Sequence, residues 1–428
     1  FDVPLQKCSR EVLGLVTFLF RYLHPNPSKN NITKEVSSIQ KQMLGCSELL
    51  VSHFSCDVMF SKEFVNGLSN FLDNEDSKEY DATSMCLLFI LVVDRSSSWS
   101  QDIWVNYFEN GNDILVQFFR LFKHCHVGLC SASNYCGSNI EGKSVIQVSL
   151  YEYCLTHVCA LLATLPQKYC KSVELTLLKE ILLPQLFWSV FLAIDVWCFL
   201  ARLGTSSYCN ALCDVLTQLI ESGRSSPAIY YLLSRLLAFL PIAHLSKFYR
   251  DFSSPSLWCH LSFSLLPDSS VRSSIISMVS EHVSHSLSVL SCGLQENDIQ
   301  LKWELLRCFS QGFFQLTCPV TKDFETFLSS HESFTSDVCS IVLCLLDLGY
   351  SDLKCRDNLW FIVPVLILGL SSIIGHVKPH KVVQLLDRVI VFLSSMSTEG
   401  KESVAMLARA TSHLKFEETM QNEAVQVL

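Results

Sequence analysis

Apolar residues recur at intervals of three and four along almost the whole chain, the spacing that lays one buried stripe along an α-helix. One such run carries Val145, Val148, Leu150, Cys154, Val158, Leu161 and Leu162, and another carries Val215, Leu216, Leu219 and Ile220. A third passes through Ile341, Leu343, Leu345 and Leu348 to Gly349, a residue suited to a helix stop. A fourth holds Val382, Leu385, Leu386, Val389 and Val391, with Pro379 at its entry, where the missing amide hydrogen costs nothing. Strand signals are scarce. Only LLFILVVD (87–94) and FIVPVLIL (361–368) read equally well as buried strands.

Short polar breaks separate these runs: HPNPSKNN (24–31), DNEDSKEYD (73–81), SASNYCGSNIEGK (131–143), ESGRSSP (221–227) and DFSSPS (251–256). Breaks every ~20–30 residues between helices of ~12–20 predict roughly 15–20 helices. No strict repeat consensus is visible. A long series of helices joined by short turns is nevertheless best satisfied by stacking, each hairpin burying its face on its neighbours. The expected fold is all-α, an irregular α-solenoid of HEAT/armadillo-like stacked hairpins. Its expected organisation is an N-terminal block over 1–130, a flexible loop over 131–143, and a block over 144–428 that continues the same solenoid.

Composition adds a constraint. Hydrophobic residues make up 49% of the 428 and charged residues only 17%, so the chain packs on many faces or hides surface against a partner. A net charge of −9 with no dense Lys/Arg block argues against a free-standing nucleic-acid binder. The chain opens at Phe1, which reads as a fragment of a longer protein, and no signal-peptide pattern follows. Its 20 cysteines lie mostly inside apolar runs (Cys86, Cys159, Cys198, Cys209, Cys213, Cys308, Cys344), where they act as small hydrophobes. That usage points to a reducing compartment, cytosol or nucleus, in which the sequon Asn31-Ile32-Thr33 has no glycosylation meaning.

Candidate chemistry is sparse. GSNIEGKS, Gly137 to Ser144, matches the phosphate-loop pattern in full: Gly137 and Gly142 for backbone approach, Lys143 for the phosphates, Ser144 for the metal. Its context differs, since SASNYC precedes it where an apolar strand is needed. FLAID (191–195), the candidate magnesium-binding aspartate, runs on into VWCFLA without a break. The bland reading is a glycine-containing turn feeding a helix that starts near Ser144. His124, Cys125, His126, Cys130 and Cys136 are possible metal ligands, but their spacing matches no common zinc knuckle. Trp99, Trp104, Tyr107, Phe108, Phe118 and Phe119 read as core before they read as a binding face. No nucleophile elbow, zinc-protease helix or paired-carboxylate site is visible, so no catalytic residue, metal or cofactor is assigned.

The most unusual stretch is AIDVWCFLARLGT (193–205), within which Asp195 is the one charge between Leu186 and Ala201. As a membrane span it would place an acid well inside the bilayer, at a cost of about 2.5–3.5 kcal/mol, and its flanks hold no basic cluster. As a helix it places Leu186, Val190, Ile194, Trp197 and Ala201 on one stripe, with Phe187, Phe191, Cys198 and Leu200 covering much of the rest. A helix apolar nearly all round belongs at the centre of a stack, and Asp195 then needs a hydrogen-bond or basic partner.

The run DVWCFLARLGT (195–205) resembles the signature of the fidgetin-like-ATPase-interacting regulators of recombination and mitosis. Members of that family carry a very similar Asp–x–Trp–Cys–Phe–Leu–Ala–Arg–x–Gly–Thr stretch in mid-chain. SVIQVSLYEYCLTHVCALLATLPQKY (144–169) is similar to the family's preceding helix, and SMCLLFILVVDRSSSWSQDIW (84–104) to one of its apolar segments. The likeness is good over 140–220 and weaker over 80–125, and the two ends share only helical character. Asp195, Trp197, Cys198, Phe199, Leu200, Ala201, Arg202 and Gly204 match the signature, as structural positions.

The resemblance implies a non-enzymatic, cofactor-free scaffold in the nucleus, on chromosomes, with cytoplasm or mitotic structures as further locations. Such a scaffold binds and stabilises a fidgetin-like AAA ATPase and works with it to remove RecA-like recombinase from DNA. It thereby limits and resolves homologous recombination and supports crosslink repair, meiosis and chromosome segregation. The implied partners are the ATPase directly and recombinase on DNA indirectly, without a membrane; direct nucleic-acid contact stays open. Two other readings stand beside it: a nucleotide-binding protein using Lys143, and an unrelated helical adaptor for transport or the cytoskeleton.

Overall fold

The computed structural model describes residues 2–23, 34–73, 79–109, 113–130, 135–136, 147–183, 186–223, 226–291, 303–317, 322–331, 333–347, 362–373 and 376–395. Regular structure among them is almost wholly α-helical. The first ten helices are α1 (Asp2–Leu23), α2 (Lys34–Phe54), α3 (Val58–Asp73), α4 (Glu79–Val93), α5 (Gln101–Phe108), α6 (Ile114–Lys123), α7 (His126–Cys130), α8 (Leu150–Ala163), α9 (Cys170–Leu182) and α10 (Phe187–Leu203). Ten more follow: α11 (Ser206–Glu221), α12 (Pro227–Leu237), α13 (Ile242–Asp251), α14 (Pro255–Cys259), α15 (Ser270–Ser291), α16 (Trp303–Thr317), α17 (Lys322–Ser330), α18 (Phe334–Asp347), α19 (Ile362–Ser372) and α20 (Pro379–Ser395). Among the described residues the one strand pairing is a two-residue antiparallel ladder, Tyr135–Cys136 (β1) against Gln147–Val148 (β2). Helices pack mainly on near neighbours in the chain, the arrangement of an all-α, solenoid-like fold.

Two compact units divide the chain, Phe1–Thr205 and Ser206–Leu428. The expected break at 131–143 lies inside the first unit, because α7, before that loop, packs on α8, after it, and α4 touches both. Polar, glycine-containing composition marks exposure of a loop; it carries no information on whether the helices at its ends share a core.

In the first unit α4 is the hub. It packs against α1, α2, α6, α7 and α8, and from Met85 to Val93 only Leu91 is not fully buried. Because neighbours surround it, residues of both odd and even number are covered, and LLFILVVD is a helix where the sequence left a strand equally open. The aromatics Phe64, Phe89, Phe118 and Phe122 run through this core with neighbouring ring centroids 4.9–6.4 Å apart. Trp99, Trp104, Tyr107, Phe108, Phe118 and Phe119 are all buried. Cysteine serves here as a small apolar side chain: Cys86 of α4 and Cys154 of α8 are buried with sulfurs 3.6 Å apart.

In the second unit α15 packs against α14, α16, α17 and α18, and α16 lies along α19. FIVPVLIL is helical too. Pro364 stands in the first turn of α19, where its amide would have had no intrahelical partner. Along α20 Val382, Leu385 and Val389 are buried and Val391 is exposed, and along α11 the buried positions are Cys209, Cys213, Leu216 and Thr217. Val215 therefore faces solvent, which turns the expected α11 stripe by about one position. Leu348 and Gly349, the expected stop of α18, lie outside the described residues.

Close helix approach in this unit depends on glycine. A Cβ added at Gly369 of α19 would sit 2.6 Å from the buried Phe313 ring and 2.9 Å from Thr317 Oγ1. Gly369→Ala gains about 1 kcal/mol in helix propensity but overpacks the contact, so a net loss of roughly 1–2 kcal/mol is expected in thermal denaturation. Gly45→Ala in α2, where nothing lies within 4 Å, should instead raise stability by up to about 1 kcal/mol. Equal responses at the two sites would contradict this packing.

His260, just past α14, stacks on Tyr230 with centroids 4.7 Å apart and lies 3.7 Å from the Cys308 sulfur. Burial and, after it, the neighbouring Arg307 hold its pKa down to about 4. The unfolded chain therefore takes up a proton that the folded one refuses. The stabilisation is complete above about pH 6.5 and is lost as pH falls toward 4, by up to about 3 kcal/mol. His260→Gln should flatten that part of a stability-versus-pH curve measured by urea denaturation.

Candidate functional site

α10 carries the unusual stretch. It follows Pro184 in the chain and closes at Gly204, whose backbone N–H donates to the Leu200 carbonyl. Arg202 sits in its last turn, where a cation complements the helix dipole. α8, α9 and α6 pack around it, and this burial splits the stretch into two faces. Inward point Val190, Ile194, Val196, Trp197, Cys198 and Ala201, with Trp197 only 4% exposed. Asp195, Phe199 and Leu200 are half-buried, and Arg202 and Gly204 are exposed. Leu186 is half-buried at the helix entry and Phe187 is 63% exposed, so the helix, apolar nearly all round, is not covered on every side.

Asp195 has the partner its position demands. The Tyr151 hydroxyl of α8 donates to Asp195 Oδ2 at 2.5 Å, a short charge-assisted bond. Tyr151 is held in the first turn of α8 by a capping box. Ser149 N donates to the Glu152 carboxylate at 2.8 Å, and Glu152 N donates to Ser149 Oγ at 3.3 Å. Donation from the Ser149 backbone N–H and, after it, from the Ser149 hydroxyl holds the Glu152 carboxyl below its ordinary pKa. The sequence signal for this cap, Ser-x-x-Glu before an apolar run, was legible in SLYE; that Tyr151 would meet Asp195 across 44 residues was not. The same cap places the start of the helix at Leu150, later than the expected start near Ser144. Burial and, next to it, the Asp195 charge push the Cys159 thiol up to about 12. Beyond the helix pair, Lys123 of α6 binds Glu180 of α9 at 3.0 Å, and both are largely buried.

Gly137, Gly142, Lys143 and Ser144 lie outside the described residues. Their surroundings are described: β1 leads in and β2 leads out, paired antiparallel with Tyr135 opposite Val148 and Cys136 opposite Gln147. Of the suggested metal ligands, Cys125 is buried and donates to the Leu121 carbonyl at 3.4 Å. His124, His126 and Cys130 are exposed, with the Cys130 sulfur 3.8 Å from His126 Nδ1, and Cys136 lies in β1. Among the described residues no three metal-ligating side chains converge, and no helix is long and apolar enough to cross a membrane.

A family model described as a domain of unknown function (DUF4487) matches residues 2–345. The chain belongs to this family. Three curated relatives of the family member bear the name FIGNL1-interacting regulator of recombination and mitosis. The rat protein is 28% identical over 249 residues (55% of this chain, 27% of the relative), and the human protein is 29% identical over 199 residues (42% and 23%). The zebrafish protein is 28% identical over 182 residues (39% and 20%). The chain thus spans about a quarter of the length of these relatives. No solved structure matches. The resemblance first carried by DVWCFLARLGT is the one these relatives bear out.

Because α10 is buried on one face and open on another, core and surface roles separate by residue. Trp197→Ala empties a buried site and is expected to cost about 3–5 kcal/mol, read as a lowered melting temperature. Tyr151→Phe removes one charge-assisted bond and should cost about 1.5–3 kcal/mol. A normal melting curve for Trp197→Ala would overturn the inward placement of the tryptophan.

Proposed function

We propose that this chain is part of a non-enzymatic helical scaffold that binds and stabilises a FIGNL1-type AAA ATPase in the nucleus. Together the two dissociate RecA-like recombinase filaments from DNA, which regulates homologous recombination, crosslink repair, meiosis and chromosome segregation. The observation that carries this reading is the likeness, over as many as 249 residues, to relatives whose name records interaction with FIGNL1 and a role in recombination and mitosis. The structure supports a scaffold in physical terms. Its helices bury extended apolar faces, and its low charge content leaves apolar surface for stable complexes. In this division of labour the ATPase supplies hydrolysis and the present chain supplies shape, surface and targeting.

The test is co-purification of the full chain with FIGNL1, followed by ATP hydrolysis and recombinase release from single-stranded DNA. The chain should capture FIGNL1, raise its lifetime in solution, and speed recombinase release when added to it. Alone, the chain should hydrolyse ATP at the background rate, with Lys143→Ala indistinguishable from wild type. Failure to capture FIGNL1 would overturn the partner, and hydrolysis by the chain alone that is lost in Lys143→Ala would overturn the non-enzymatic assignment.

A further inference from the structure

One face of α15 carries a stripe of serines. Ser273, Ser277, Ser280, Ser284 and Ser288 follow one another at four, three, four and four residues, about one helical turn each. They line one side of a groove of about 740 Å³, and Thr326, Phe327 and His331, on and just after α17, line the other. Ser280 is the most deeply buried of the five, at 3% exposed, and its Oγ has no hydrogen-bond partner. A helical serine ordinarily returns its hydroxyl to the carbonyl four residues back, as Ser274 does to Ser270 at 2.9 Å. Ser280 does not, and a buried hydroxyl left unpaired is costly. Glu281 and His285, both exposed, stand on the same wall of the groove. Glu281 accepts from Ser277 Oγ at 3.3 Å, one of the roughly four bonds a carboxylate can take.

The stripe is symmetric about the midpoint between residues 280 and 281. Positions 273 and 288 are equidistant from that point, and so are 277 and 284. A second α15 laid antiparallel across the first therefore sets Ser273 against Ser288 and Ser277 against Ser284. It also sets the Ser280 hydroxyl of each copy beside the Glu281 carboxylate of the other, a donor without a partner against an acceptor with room. Such a two-fold contact is isologous, each surface being its own complement. Hydroxymethyl side chains are short, so the two helices can approach closely, while the groove takes the longer Glu281 and His285 side chains of the incoming copy. Other occupants fit less well. An apolar helix face would strand the hydroxyls of the stripe, and a nucleic acid would meet Glu281 with no lysine or arginine among the lining residues.

We infer that the serine face of α15 is a self-association surface, through which two copies of this chain pair about a two-fold axis, each Ser280 hydroxyl donating to the other copy's Glu281. This pairing does not rest on the FIGNL1 reading. Its test is sedimentation velocity of the full chain at rising concentration up to about 100 μM, over which monomer should give way to dimer. Ser277→Trp sets a bulky ring on an exposed position of the stripe and should keep the chain monomeric throughout, with the wild-type melting temperature. Ser280→Ala removes a hydroxyl that has no partner within one copy. Melting of the dilute monomer should therefore not fall, whereas the dimer dissociation constant should rise at least tenfold.

Register is read by mixing Ser277→Cys chains with Ser284→Cys chains under mild oxidation and mapping cross-linked peptides by mass spectrometry. Links between positions 277 and 284 should exceed those joining either position to itself. A chain that stays monomeric over the whole range, or a dimer that both Ser277→Trp and Ser280→Ala leave intact, overturns the surface. A preference for links between like positions overturns the antiparallel pairing.

Discussion

A helix that is apolar on nearly every face has one stable situation, wrapped by other helices, and α4 imposes that condition on the first unit. Its Leu, Phe, Ile and Val side chains cannot face water in any orientation, so α1, α2, α6, α7 and α8 gather round it. The same requirement explains the cysteines. Between crowded helices a small, weakly polar side chain fills space without a demanding hydrogen bond, as Cys86 and Cys154 do at their 3.6 Å contact. Where helices come closer still, even a methyl group is too large, and Gly369 stands against the Phe313 ring.

α10 meets the condition differently. One side carries Trp197 into the core, while the other brings Asp195, Phe191 and Phe187 toward solvent. A buried tryptophan fixes the rotation of the helix about its axis, and that rotation decides which residues of DVWCFLARLGT can be touched from outside. Asp195 is held by the Tyr151 hydroxyl, so its carboxylate stands at a defined point on the surface. The stretch DVWCFLARLGT therefore joins two demands, packing on one face and presentation on the other.

Much of this was legible in the amino-acid order. Three- and four-residue spacing marks the helices, Pro379 marks the entry of α20, and Ser149 with Glu152 spells the cap of α8. Low charge content foretold many buried faces. These features act through neighbours a few residues apart, and local sequence determines them because one turn of helix satisfies its own backbone hydrogen bonds. Only the tertiary structure could decide the rest. LLFILVVD and FIVPVLIL are apolar without a period, so the helices around them settle their form. The core of the first unit runs across the polar stretch 131–143 because α4, α7 and α8 meet in space. Tyr151 reaches Asp195 over 44 residues, and Phe187 stays in water while Ser189 and Val190 shortly after it are buried. Sequence period names a face of a helix, but which face is buried depends on what packs there, and that is set by contacts between residues far apart in the chain.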